Sequence, residues 1–158
     1  MKRSEKIRLL IQDIITGMAS IAPEINEGGC GRFAEILSEE LHRHGVRHRI
    51  ALFRSMTSTN NVRAKKRYIK EILAGNYLHA GETSVGHVML KIGGLLVDGT
   101  SCVNINEYYE YHVEPIGYYT LTEMKIANVY GDWLDRYDRE KDKLVKKLVA
   151  EKAKLYLT

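Results

Sequence analysis

The fold turns on the stretch Gly86-His87-Val88-Met89-Leu90-Lys91-Ile92-Gly93-Gly94-Leu95-Leu96-Val97-Asp98-Gly99-Thr100. Two apolar runs separated by Gly-Gly predict an antiparallel hairpin within residues 83–100. With Gly93-Gly94 as a two-residue loop, Ile92 stands opposite Leu95, Lys91 opposite Leu96, Leu90 opposite Val97 and Met89 opposite Asp98. Side chains alternate along a strand, so Val88, Leu90, Ile92, Leu95 and Val97 share the face that becomes core. His87 and Met89 share the other, with Asp98 diagonal to His87 and within reach of it. A loop of three residues would move Asp98 to the opposite side.

Upstream of the hairpin, the pattern changes to a helical period. Ile7, Leu10, Ile11, Ile14, Ile15 and Met18 form one stripe of a helix over residues 4–19, with Ser4 as its N-cap. After a loop ending in Gly28-Gly29, a second helix runs from Cys30 to His44, buries Phe33, Ile36, Leu37 and Leu41, and stops at Gly45. Residues 46–53 read as a strand and 61–75 as a basic helix. Residues 105–120 are open to either reading, and 133–157 predict a charged helix with Leu134, Tyr137, Leu144, Leu148 and Leu155 inward. Helices early and strands later give an α+β domain, and 158 residues suffice for one unit spanning 1–158 with its own core.

Composition restricts function without choosing it. The chain has 44% apolar and 28% charged residues and two prolines, which excludes low complexity. Its 24 basic and 20 acidic residues leave a net charge of +4, a mixed surface that permits a nucleic-acid partner without calling for one. Charged residues from Glu5 to Asp13 interrupt any export signal, and no apolar run approaches the ~20 residues of a membrane span. The expected location is the cytoplasm, where Cys30 and Cys102 would both be free thiols.

Of the two, Cys30 has the chemistry-bearing context. In Gly28-Gly29-Cys30-Gly31-Arg32-Phe33-Ala34 the thiol opens a helix, beside unpaired backbone N–H groups and the positive end of the helix dipole, both of which favour a thiolate. Gly29 and Gly31 remove side-chain bulk, so a substrate carbonyl can approach the sulfur and use the Cys30 N–H as an oxyanion donor, with Asn26 as a second donor. Cys102 lies in Thr100-Ser101-Cys102-Val103, with neither a glycine loop nor a helix behind it. A nucleophilic cysteine needs a base and the base an orienting group, and His87 with Asp98 supplies both.

Cys30 at a helix start, His87 on a strand and Asp98 on the next strand resemble the catalytic core of the papain-like superfamily, which includes papain-type peptidases, transglutaminases and arylamine N-acetyltransferases. The resembling parts are residues 28–34 with the helix they open, to His44, and the hairpin from Gly86 through Thr100, about a fifth of the chain. The resemblance implies N-terminal helices, one of them bearing the cysteine, packed on a small antiparallel sheet. It also implies a Cys30–His87–Asp98 triad that cleaves an amide or thioester through an acyl-enzyme. Its substrate would be a protein, a peptide or a small amide or thioester, with no metal or other cofactor. Papain-type peptidases carry a glutamine before the cysteine; here that region has Glu24, Asn26 and Glu27, and a small residue, Gly31, follows the cysteine. The length fits a minimal peptidase or amidase better than an acyl transferase of transglutaminase-like type, which is the further alternative.

Other features have blander readings. His42 and His44 are two apart on a helix and point apart, which with His48 argues against a metal site. Arg63, Lys65, Lys66, Arg67 and Lys70 make a basic helical face, ordinarily solvated. That face would be the contact surface if the chain were instead a non-catalytic adaptor on the same scaffold. Tyr108, Tyr109, Tyr111, Tyr118 and Tyr119 are open to two readings, cleft lining or ordinary packing.

Overall fold

The computed structural model describes residues 1–26, 29–53, 62–76, 86–107, 115–127 and 139–158. Along the chain run α1 (Arg3–Ile21), α2 (Cys30–Arg43), β1 (Arg49–Phe53), α3 (Val62–Leu73), β2 (His87–Ile92), β3 (Leu95–Val97), β4 (Cys102–Asn104), β5 (Pro115–Tyr119), α4 (Leu121–Ala127) and α5 (Arg139–Leu157). The architecture is α+β, with one open antiparallel sheet in the order β4-β3-β2-β1-β5.

The hairpin register is the one its Gly-Gly loop dictates: Leu90 pairs with Val97, Lys91 with Leu96 and Ile92 with Leu95. Gly93 takes a φ of 58°, which a residue with a side chain adopts at a cost. On the other flank of β2, Ala51 pairs with Met89 and Phe53 with His87, placing the histidine at the very end of the ladder. The segment left open between 105 and 120 supplies β5, the edge strand beside β1, so that β1 and β2 are central.

The main core lies on the helical side of the sheet, where Ile50, Leu52, Val88, Leu90, Ile92 and Val97 meet α1, α2 and α5. The opposite face is also buried: Ala51, Phe53, Met89 and Leu96 form a second cluster, joined by half-buried Val103 and Ile105. Alternation thus assigns the faces correctly, but Met89 and Leu96 beside the His87 side are as buried as the core. Strands buried on both faces read as continuous apolar runs, as Ile50–Phe53 does.

Several local expectations are corrected. Ser4 is not the cap of α1; the helix begins one residue earlier, and the Lys2 backbone N–H donates to Glu5 Oε2 at 2.9 Å. The strand begins at Arg49 rather than Val46, because residues 45 and 46 close α2 instead. The Val46 N–H reaches back to the Leu41 carbonyl at 2.9 Å and the Gly45 N–H to that of His42 at 3.0 Å, with Gly45 at φ 65°. The basic face of α3 is divided, since Lys65 is buried while Arg63, Lys66, Arg67 and Lys70 are exposed.

The largest correction concerns α5. Its buried stripe is Asp142, Val145, Val149 and Ala153, while Leu144 is 50% and Leu155 68% exposed. Of the residues expected inward, only Leu148 packs on the core, and Leu134 and Tyr137 lie outside the described residues. The expected stripe followed the large apolar residues, whereas the helix turns the face carrying Asp142 inward, where Arg32 receives its carboxylate. The observed spacing of three and four follows the true period. The stripe packs α5 along α1, where Asp13 takes an ion pair from Lys152 at 3.0 Å and a hydrogen bond from the Tyr156 hydroxyl at 3.1 Å. Among the described residues, no helix is long and apolar enough to cross a membrane.

Candidate active site

The site forms where the start of α2 meets the end of the hairpin remote from its turn. Gly29 precedes the helix, its N–H bonded to the Ile25 carbonyl at 2.7 Å and its carbonyl accepting from Phe33 N–H at 3.0 Å. Cys30 is the first helical residue and is 3% exposed. The N–H groups of Cys30 and Gly31 lie in the first turn, where no carbonyl of the helix lies four residues back, so they point out of the helix end.

His87 is held from the sheet side by the pairing with Phe53 and by the Gly86 N–H bond to the Phe53 carbonyl at 2.9 Å. Its Nε2 bonds to Asp98 Oδ2 at 2.9 Å. Asp98 follows β3, as the hairpin register requires, and its other oxygen organises the turn that comes next. Oδ1 accepts from the N–H of Thr100 and of Ser101 at 2.8 Å each, and from both hydroxyls at 3.1 Å. Five donors on one buried carboxylate leave it a single orientation.

The third contact is between His87 and Cys30, whose thiol interacts with the imidazole. Nε2 is taken by Asp98, so Nδ1 is the nitrogen left for the thiol. Burial works against a charged imidazole, yet the Asp98 bond and then the Cys30 thiol outweigh it, and the pKa of His87 is pushed up to about 9. For Asp98, burial pulls the other way, but the bonds from His87, Thr100 and Asn26 hold it well below the usual carboxylate range. Both perturbations favour an imidazolium–carboxylate pair. His87 keeps 24% of its side chain exposed and Asp98 7%, so the ring lies between solvent and the buried acid.

Asn26 stands at the site in a different posture from the one its sequence position suggests. Its amide N–H donates to Thr100 Oγ1 at 3.0 Å and also acts on Asp98, so its donors are turned toward the acid's turn. Its Oδ1 is buried, with no hydrogen-bond partner among the described residues. Beside it, Ile25 is wedged between two glycines. A Cβ on Gly29 would lie 2.7 Å from the Ile25 carbonyl oxygen, and one on Gly99 would lie 2.3 Å from Ile25 Cγ2. The absent side chains of Gly29 and Gly99 therefore let one isoleucine join the cysteine loop to the aspartate loop.

A second tie fixes α2 from behind. Arg32, two residues after the cysteine, grips Asp142 at the start of α5 with Nε at 2.7 Å and Nη2 at 3.0 Å, and reaches Glu35 with Nη1 at 2.7 Å. The Arg32–Asp142 contact is bidentate and largely buried, the geometry in which an arginine defines position as well as charge.

Sequence reasoning brought Cys30, His87 and Asp98 to one place and missed Ile25, Arg32, Thr100, Ser101 and Asp142. The Asp98-Gly99-Thr100-Ser101 run is a turn signal in which an Asp accepts from the backbone two residues on, and that signal was available. Cys102 sits half-buried on β4, where burial raises its thiol pKa, and it takes no part in the triad. His48 is structural: Nδ1 donates to the Val46 carbonyl at 2.8 Å and Nε2 accepts from Ser38 Oγ at 2.6 Å, while burial lowers its pKa. His44 lies 3.4 Å from Glu40. Among the described residues, no group of three or more His, Cys, Asp and Glu is arranged to hold a metal ion. Tyr119 packs inward on β5 and Tyr118 is 38% exposed, while Tyr108, Tyr109 and Tyr111, like Glu27 and Gly28, lie outside the described residues. Comparison with protein-family models, with curated proteins and with solved structures finds no match to this chain.

Proposed function

We propose that this chain is a cysteine-dependent hydrolase of papain-like type, a peptidase or amidase working through Cys30, His87 and Asp98. The observation that carries the reading is that His87 is bonded through Nε2 to Asp98 at 2.9 Å and also interacts with the Cys30 side chain, which leaves Nδ1 as the nitrogen available to the thiol. A helix bearing the cysteine, packed on an antiparallel sheet that carries the other two members, is the arrangement such an enzyme needs.

The mechanism follows from the roles. His87 Nδ1 takes the proton of Cys30, and the imidazolium so formed is stabilised by Asp98. The thiolate attacks the carbonyl carbon of an amide or thioester, and the N–H groups of Cys30 and Gly31 receive the developing oxyanion. Collapse breaks the carbon–nitrogen or carbon–sulfur bond, with the His87 proton passing to the leaving group. Water then gives a proton to His87 and a hydroxyl to the acyl carbon, releasing the acid and restoring the thiol. An amine in place of water would make the same site an acyl transferase. Asn26 helps position Asp98 through Thr100.

One observation favours a second reading, a binding module on the same scaffold: Cys30 is 3% exposed. Alkylation by iodoacetamide at pH 7 decides between them, in a Cys102→Ser background that leaves one thiol. Modification of Cys30 that His87→Ala slows strongly supports the hydrolase and directs a search through amide and thioester substrates. Absent modification, or a rate indifferent to His87, turns the assignment to the binding module.

A further inference from the structure

A large cavity lies at the end of the hairpin opposite His87 and Asp98. It is an open groove of about 1170 Å³ between the first turns of α1, the segment joining α2 to β1, and the β2–β3 turn. From His87 to Ile92 the strand advances five residues, so about 17 Å separates groove and triad. The groove lies beyond the site described above.

Its walls are cationic. Arg3, Arg8, Arg47, Arg49 and Lys91 line it, and Glu5 is the single carboxylate among the lining residues. Glu5 is occupied by the backbone N–H of Lys2 at 2.9 Å. Elsewhere the protein pairs its buried and half-buried cations: Arg32 with Asp142, Lys141 with Glu24 and Lys152 with Asp13. None of the five groove cations has a carboxylate within ion-pair distance among the described residues. Arg3 donates to the His44 carbonyl at 2.6 Å and Arg49 to that of His48 at 2.9 Å, contacts that orient a guanidinium without neutralising it. Gly93 and Gly94, which have open space where a Cβ would be, leave the floor unobstructed.

Four guanidinium groups with uncompensated charge select phosphate, whose oxygens match their paired N–H groups. The cavity exceeds the ~300–1,000 Å³ typical of small-ligand sites and is open to solvent along its length, which suits a chain rather than a single molecule. Lys91, which lines the groove, also places its ammonium 5.6 Å from the ring centre of Tyr118, an exposed aromatic of the kind on which nucleic-acid bases stack. We propose that the groove binds single-stranded nucleic acid, with its phosphates on Arg3, Arg8, Arg47 and Arg49. The contact surface is therefore this groove, and not the basic helix α3.

The test is fluorescence anisotropy of a labelled 12-nucleotide oligothymidylate with the full chain. Four phosphate contacts on a single strand predict a log–log salt slope of about −3, so affinity should fall about 50-fold between 50 and 200 mM salt. Arg47→Ala with Arg49→Ala, both exposed positions, should reduce the slope by about 1.4 and leave Cys30 alkylation unchanged. Lys66→Ala with Lys70→Ala on α3 should change neither. No binding at 50 mM salt overturns the proposal, as does a salt slope that follows the α3 variant and ignores the groove variant. Equal displacement of the oligonucleotide by polyglutamate of matched length also overturns it, in favour of an acidic protein partner.

Discussion

Asp98→Asn isolates the chemistry of the triad from its architecture. Oδ1 of Asp98 receives four hydrogen bonds from Thr100 and Ser101, all from donors, so an asparagine must keep its carbonyl oxygen there. Its NH₂ group then replaces Oδ2, 2.9 Å from His87 Nε2. An amide donor facing Nε2 requires a lone pair on that nitrogen, which moves the ring proton to Nδ1. There it blocks the position that must accept the proton of Cys30. The charged ring loses its support as well: the rise of the His87 pKa from 6.5 to about 9 corresponds to about 3 kcal/mol of preference for imidazolium. Losing that preference predicts iodoacetamide alkylation of Cys30 about a hundredfold slower at pH 7, measured by mass spectrometry in a Cys102→Ser background. Because the Oδ1 network survives, thermal unfolding should show a folded variant destabilised by about 1–3 kcal/mol. A folded Asp98→Asn protein that alkylates at the wild-type rate would refute both the tautomer argument and the role given to the acid.

The same pair makes stability depend on pH. His87 is raised from 6.5 to about 9, so its contribution is complete below pH 6.5 and disappears as pH rises through 9; that of Asp98 is complete above its ordinary 3.8 and is lost in acid. The melting-temperature gap between wild type and His87→Ala should be widest between about pH 4 and 6.5 and close by about pH 10. A gap that does not vary with pH counts against the ion pair. Gly99→Ala drives a methyl group into Ile25 and should cost about 1–3 kcal/mol in urea unfolding, with Ile25→Ala costing less on top of it than alone; strict additivity would exclude the wedge. Asp142→Ala leaves Arg32 largely buried with Glu35 as its remaining partner, for a loss of about 3 kcal/mol; a change under about 0.5 kcal/mol would show the tie to be incidental.

What the chain discloses on its own depends on how local the determining physics is. The hairpin was readable because a two-residue Gly-Gly loop and strict alternation fix register over a dozen residues, and register alone carries Asp98 to His87. The Cys30 helix was readable for the same reason, with glycines before it and an apolar stripe inside it. Asp142 could not be found this way. As an isolated residue it is a first-turn acid on a charged helix, and only its partner 110 positions earlier makes it an inward-facing one. Once Asp142 is inward, Val145, Val149 and Ala153 follow and Leu144 must face out, against its hydrophobicity. Alternation places Met89 on the face of His87, but burial of that face depends on what packs over it, which a strand's own sequence does not state. Asn26 was read by its distance from Cys30 along the chain, whereas its amide answers to Thr100, 74 positions away.

The Arg32–Asp142 tie has a consequence in time. A ribosome adding about 5–20 residues per second delivers the carboxylate that grips Arg32 some 110 positions after the arginine, an interval of about 5–20 s. His87 and Asp98 emerge within that interval, so Cys30, His87 and Asp98 all exist on the nascent chain before the strut behind the cysteine helix does. The buried guanidinium cannot take up its bidentate contact until α5 arrives. The order of synthesis thereby puts Cys30, His87 and Asp98 on the chain before the brace that fixes the cysteine's helix from behind.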